Sequence, residues 1–204
     1  MQKPKSSQTN KKTLSIVLVI LLVGLAICVL AYQRLIKGCL WWDCAPARSF
    51  NVLDLGLPAY LFPVNAVYEP IQSVHDELLY TIDEGSQRTD WSRGEAIYAI
   101  DRYSTVQYAI EGYEDLKKAI LGPSSAKSLF GPPDLRKAIN PRADDLLVWC
   151  ATLDTNRKAC EMILRYQEFV VFFMANISDE MTLQDFEEIA EFIDEQMANH
   201  LYPK

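Results

Sequence analysis

The alternation of apolar and polar residues predicts a three-stranded antiparallel meander near the end of the chain. If Cys150 lies opposite Cys160, residues 146–151 and 159–166 form a hairpin with one wholly apolar face. A third strand at residues 169–176 continues that face beyond a tight turn. Because a slip of one residue would turn these side chains to the other face, the pattern also predicts the register.

Helical periodicity occurs in two further segments. Apolar residues recur three or four positions apart over residues 106–121 and again over residues 182–201, with charged residues between them. Gly112 interrupts the first helix at a cost of about 1 kcal/mol relative to alanine. A second hairpin joins residues 86–91 to residues 96–103. We therefore expect an α+β fold, a two-layer sandwich of an antiparallel sheet and two amphipathic helices.

A different pattern opens the chain, where residues 14–32 form an uncharged apolar run. A helix of that length matches the roughly 30 Å hydrocarbon layer, which predicts a single transmembrane helix. The run is too long for the core of a cleaved signal peptide, the alternative, and favours an uncleaved signal-anchor in the cell membrane. Four lysines precede the run, whereas Arg34 and Lys37 follow it, and the positive-inside bias then puts the N-terminus in the cytoplasm. We expect a basic cytoplasmic head at residues 1–13, a juxtamembrane linker at 33–49 and an extracytoplasmic domain at 50–204.

Charge is distributed unevenly along the chain. The formal net charge is -7, yet residues 45–204 contain 14 basic and 26 acidic side chains. The phosphates of a nucleic acid would repel a domain with this excess of acidic side chains. We therefore expect no nucleic-acid partner. The acidic positions of the terminal helix form a solvated face or, alternatively, a docking surface for a basic partner. The expected partners are the lipid bilayer, through the transmembrane helix, and a protein or small ligand.

Four of the five cysteines lie outside the membrane run, in a compartment where disulfides persist. Three pairings are possible. The hairpin register favours a bond between Cys150 and Cys160, which leaves Cys39 and Cys44 to close a short ring just after the membrane run. The alternative for the hairpin is two separate buried thiols. Cys28 falls within the run itself, as a small apolar side chain in lipid.

One local cluster offers both a nucleophile and a base. Ser73, His75 and Asp76 support a hydrolase hypothesis, although the members of a catalytic triad usually come from separate parts of a fold. The alternative is a polar turn. A metal site of His75, Asp76, Asp83 and Glu84 lacks a second histidine and a recognised ligand spacing. The chain also has no Gly-rich phosphate loop and no HExxH motif, so we predict no catalytic residues, no metal ligands and no cofactor.

The strand predicted at residues 169–176 is apolar on both faces, which requires a second cover. The proline-rich segment 45–72, with a short strand at residues 50–55, is one candidate cover. The alternative is an exposed patch for a partner or a second copy of the chain. Four residues would form that patch: Trp149, Val170, Phe172 and Met174.

Two segments resemble a group of uncharacterised membrane-anchored bacterial extracytoplasmic proteins. They are NVLDLGLPAYLFP at residues 51–63 and RYQEFVVFF at residues 165–173, with Cys150 and Cys160 between them. The order of hairpin, helix, excursion, meander and terminal helix resembles the PsbP-type α+β sandwich. That resemblance implies an assembly or binding module rather than an enzyme. We therefore expect a membrane-anchored extracytoplasmic binding or assembly module without catalytic activity, with the hydrolase as the alternative.

Overall fold

The computed structural model describes residues 8–74, 80–121, 142–152 and 157–202. The chain divides into two compact units, Met1–Cys44 and Ala45–Lys204. The first unit contains helix α1, Gln8–Ile36. Within α1, the stretch Leu14–Ile36 has 23 residues and is long and apolar enough to cross a membrane. The predicted N-terminal apolar helix is therefore present, and it could serve as a membrane anchor.

The second unit begins with an irregular lead-in that contains two 3₁₀ helices, Val52–Leu55 and Ala59–Leu61. The side chain of Asn51 accepts a hydrogen bond from the Leu53 backbone N–H at 2.9 Å, and Asp54 accepts one from the Asn51 N–H at 2.9 Å. These two side chains accept hydrogen bonds from backbone N–H groups at the start of the first 3₁₀ helix, as a helix cap does. The short strand predicted at residues 50–55 is therefore wrong.

The centre of the second unit is an antiparallel sheet of seven strands. The strands are β1 (Val67–Tyr68), β2 (Gln72–Ser73), β3 (Thr81–Trp91), β4 (Gly94–Tyr103), β5 (Asp145–Thr152), β6 (Lys158–Tyr166) and β7 (Phe169–Ile177). They follow the order β1-β3-β4-β7-β6-β5, and β2 also pairs with β3. Together with the helices, this sheet confirms the α+β class.

The register of the meander is the one that the apolar pattern predicts. Cys150 lies opposite Cys160, and Met162 lies opposite both Val148 on β5 and Phe173 on β7. This alignment puts one alternating set of buried side chains on a single face, where they join the main core: Cys160, Met162, Leu164 and Tyr166 of β6 and Phe169, Val171, Phe173 and Ala175 of β7. Cross-strand pairing of apolar residues on one face therefore specified the register correctly.

Two helices flank the sheet, α2 at Val106–Leu121 and α3 at Leu183–Leu201. They pack on opposite faces. Val171 of β7 is buried in the core that contains α3 and the lead-in, whereas its neighbour Val170 is buried in a second cluster with α2. Successive residues of a strand point to opposite faces, so each face of β7 has its own cover.

The two-layer arrangement expected from the sequence is therefore wrong, and the unit has three layers. The lead-in does not supply the second cover either, because its buried residues Val52, Leu55 and Leu57 belong to the core on the α3 side. The helix α2 covers the other face through Ala109 and Tyr113. Because each face of β7 is covered, apolar residues are favoured on both of its faces.

Candidate functional site

The residues of the hydrolase hypothesis are only partly described. Ser73 is exposed on the two-residue strand β2, where it pairs opposite Gly85 of β3. His75 and Asp76 lie outside the described residues. The hypothesis therefore remains a sequence prediction.

Two residues of the conceivable metal site are separated by the strand that carries them. Asp83 and Glu84 are successive residues of β3, so their side chains point to opposite faces of the sheet. The carboxylate of Asp83 accepts a hydrogen bond from the Val52 backbone N–H at 3.1 Å, which ties β3 to the lead-in. Glu84 is buried. Within the described ranges, this pair does not converge on a shared ion.

A different trio lies close enough to share an ion in the part of the chain that the structure describes. The Sγ atoms of Cys39 and Cys44 and a carboxylate oxygen of Asp43 all lie within 4.8 Å of one another. The two sulfurs are joined in a disulfide, however, and a thiolate is the form of cysteine that binds metal. Asp43 also pairs with Arg34 at 3.3 Å and accepts a hydrogen bond from the Leu40 backbone N–H at 2.5 Å. The carboxylate therefore has a structural role that accounts for its position.

The cysteines pair as the hairpin register favours. Cys150 is bonded to Cys160, with 4.0 Å between their Cα atoms, and Cys39 is bonded to Cys44, with 5.0 Å between theirs. The first bond is buried in the main core and joins β5 to β6. Two disulfides suggest that the second unit occupies an oxidising, extracytoplasmic compartment.

Part of the predicted partner patch is accessible. Val170 is only 1% exposed beneath α2, so it cannot contact a partner in this fold. Trp149, Phe172 and Met174 remain partly exposed on the same face of the sheet. Phe172 packs against the cluster under α2, whereas Trp149 and Met174 lie in neither core cluster.

Trp149 and Met174 belong to one row that crosses four strands. The row runs from Trp149 on β5 through Glu161 on β6 and Met174 on β7 to Ile97 on β4, and each residue lies directly opposite the next. The indole Nε1 of Trp149 donates a hydrogen bond to Glu161 Oε2 at 2.8 Å, which ties the ring to the neighbouring strand. All four are partly exposed. We call Ile97, Trp149 and Met174 the sheet-face patch.

A groove that sequence reasoning missed lies on the other side of the sheet. It has a volume of 450 Å³, within the range of about 300 to 1,000 Å³ that is typical of ligand pockets. The lead-in segment 60–65, Trp91 at the end of β3, and residues on both sides of the start of α3 form its walls. No sequence signal joins these segments, because they are distant in the chain and meet only in the fold.

One side of the groove is apolar and the other is acidic. We call Tyr60 and Val64 the apolar lip and Glu180, Asp185 and Glu188 the acidic lip. Tyr60 is 76% exposed and Val64 is fully exposed on the lead-in side. Glu180, Asp185 and Glu188 line the side formed by α3. Phe62, Trp91 and Met181 are buried residues that also line the groove.

The three carboxylates of the acidic lip differ in their partners. Asp185 completes the cap of α3, since its Oδ2 accepts from the Thr182 backbone N–H at 2.6 Å. Glu180 accepts from the Ser92 hydroxyl at 2.5 Å, and Glu188 accepts from the Gln184 amide at 3.1 Å. These partners are uncharged. Among the described residues, no lysine or arginine lies within 4 Å of any of the three carboxylates.

No protein-family model matches the chain, and no curated protein matches it significantly.

Proposed function

We propose that the chain is a membrane-anchored extracytoplasmic binding or assembly module that acts without catalysis. Helix α1 spans the cell membrane once with its N-terminus in the cytoplasm, and the unit Ala45–Lys204 lies outside. The lysines before the apolar run favour this orientation, and the two disulfides are consistent with the compartment. The resemblance to PsbP-type sandwiches also favours a binding or assembly role.

The observation that carries the proposal is the sheet-face patch. In this proposal α2 and α3 are amphipathic covers, one on each face of the sheet. On the face of the sheet that α2 covers, Ile97, Trp149 and Met174 remain partly exposed. Large apolar side chains that line up across neighbouring strands, outside the core clusters, are typical of a surface that a partner completes.

The experiment introduces a charge into the patch and measures association with a protein partner. The Met174→Asp variant should remain folded, because Met174 is partly exposed, and it should lose the main product of chemical cross-linking in intact membranes. Val170→Asp should instead unfold the unit, since that side chain is buried under α2. Circular dichroism of the purified full-length protein separates the two cases.

A matched control uses an exposed apolar residue of the sheet outside the patch. Ile82 on β3 is 52% exposed, so Ile82→Asp adds the same charge to the same sheet without touching the patch. Its cross-linking should equal that of the unmodified protein. Undiminished cross-linking of the folded Met174→Asp variant would contradict the proposal.

A further inference from the structure

We propose that the groove between the lead-in and α3 binds an extended segment of a protein partner that carries lysine or arginine beside apolar residues. This groove lies on the opposite side of the sheet from the sheet-face patch, so it is a second binding surface. The two sites can therefore fail independently.

The apolar lip indicates a protein segment rather than an ion. Tyr60 and Val64 are exposed by 76% and 102%. Single exposed apolar residues are ordinary, but these two line the same groove, together with the buried apolar residues Phe62, Trp91 and Met181. Burial of such side chains contributes to binding only when the partner has apolar atoms of its own.

The acidic lip favours a basic partner. Glu180, Asp185 and Glu188 put three negative charges beside the groove, and no described lysine or arginine lies within 4 Å of their carboxylates. A cationic side chain gains Coulomb energy there, whereas an anionic one is repelled. The rest of the unit acts in the same direction, because residues 45–204 contain 26 acidic and 14 basic side chains. Electrostatic steering would raise the rate of association with a basic partner.

The two unlike sides of the groove favour an extended segment, because the lead-in side is apolar and the α3 side is acidic. An extended chain places alternate side chains on opposite sides, which would allow a basic residue to meet the α3 lip and an apolar one to meet the lead-in lip.

The test selects displayed random peptides, of about twelve residues so that they can cross the groove when extended, against the full-length protein in lipid nanodiscs. We expect the enriched peptides to contain an excess of lysine and arginine together with apolar residues. Their affinity should fall about tenfold or more in the double variant Glu180→Lys with Glu188→Lys, and also in Val64→Asp. Asp185 is left unchanged because it completes the cap of α3.

The matched control carries the same change of charge on the other helix. Glu111 and Asp115 are exposed on α2, so Glu111→Lys with Asp115→Lys should leave the affinity of the same peptides within about twofold. An equal loss in this control would assign binding to net charge alone and overturn the proposal. Enrichment of acidic or uncharged peptides, or no enrichment at all, would overturn it too. Cross-linking at the sheet-face patch is measured separately, so these outcomes leave the proposed function to its own test.

Discussion

Gly112 lies in the middle of α2, where a glycine costs a helix about 1 kcal/mol relative to alanine. The structure shows what this glycine allows. A Cβ at position 112 would lie 2.5 Å from Cζ of Tyr103 and would also overlap its hydroxyl oxygen. Tyr103 is buried in the cluster under α2, so it has little room to move. The absence of a side chain at Gly112 therefore lets the helix approach β4 closely.

We predict that Gly112→Ala destabilises the second unit although alanine is the better helix former. The expected loss in the free energy of unfolding is about 1–3 kcal/mol, the usual effect of overpacking, and urea denaturation measures it. Glu111→Ala, at an exposed position of the same helix, should change it by no more than about 0.5 kcal/mol. Tyr103→Leu should restore part of the stability of Gly112→Ala. A stabilised Gly112→Ala variant would contradict the packing.

Tyr98 is another residue whose surroundings set a measurable property. It is fully buried, and its hydroxyl donates a hydrogen bond to the Leu55 carbonyl oxygen at 3.0 Å. Burial raises the pKa of this phenol well above its ordinary value of 10.0. The folded protein therefore retains the proton more strongly than the unfolded chain does. This contribution to stability is complete below about pH 10 and is lost as the pH rises from there toward the folded-state pKa.

Tyr98→Phe should consequently change stability in two ways. At neutral pH the free energy of unfolding should fall by about 1–2 kcal/mol, because the Leu55 carbonyl loses its donor. Between pH 10 and 11 the decline of that free energy with pH should be less steep than in the unmodified protein. Burial also raises the pKa values of Tyr103 and Tyr166, so some decline should persist. An unchanged slope in urea titrations across this range would argue against the burial of a protonated Tyr98.

Among the elements, the lead-in is attached to the sheet by a buried ionic cluster. Glu168, at the β6–β7 turn, has a fully buried side chain and accepts hydrogen bonds from Arg48 Nε and Nη2, both at 2.8 Å. Arg102 of β4 approaches the same carboxylate at 3.6 Å. The hydrogen bond to Glu168 raises the pKa of Arg48. The first residues of the lead-in are thereby linked to the centre of the sheet.

Glu168→Gln should be strongly destabilising, because it leaves two largely buried arginines without their counter-charge. We expect the free energy of unfolding to fall by about 3–5 kcal/mol, as measured by urea denaturation. The exposed pair of Arg88 and Asp90 provides the comparison, since Asp90→Asn should cost less than about 1 kcal/mol. Equal effects of the two substitutions would mean that the Glu168 cluster contributes no more than a surface ion pair.

The sequence predicted some elements and missed others for physical reasons. The register of β5, β6 and β7 was predictable, because opposed apolar side chains and paired cysteines constrain neighbouring strands directly. The cap of α3 at Thr182 is a local pattern and was predictable as well. The face on which α2 packs was not, since a periodic stripe shows that a helix is covered but does not identify what covers it.

At the scale of the whole molecule, the two candidate sites also differ in how far a local sequence pattern could predict them. Trp149, Phe172 and Met174 could be predicted as a patch, because the alternation along β7 left apolar residues on a face with no assigned cover. The burial of Val170 could not, since it depends on α2. The groove needs Tyr60, Trp91 and Glu188, which are far apart in the chain. Only the acidic face of α3 indicated a basic partner in advance.

In the proposed function, the orientation of α1 in the membrane determines whether either site meets an extracytoplasmic partner. We predict that a tag fused to Lys204 is digested by protease added outside a sealed, right-side-out membrane, whereas a tag fused to Met1 is digested only after that membrane is opened. The reason is the excess of lysines before the apolar run, which favours retention of that end in the cytoplasm. The compartment of the second unit also decides the state of its cysteines, so non-reducing peptide mapping of the same preparation should recover Cys150 linked to Cys160. Protection of the Lys204 tag until lysis would put the unit in a reducing compartment, and both the disulfides and the proposed extracytoplasmic role would then be wrong.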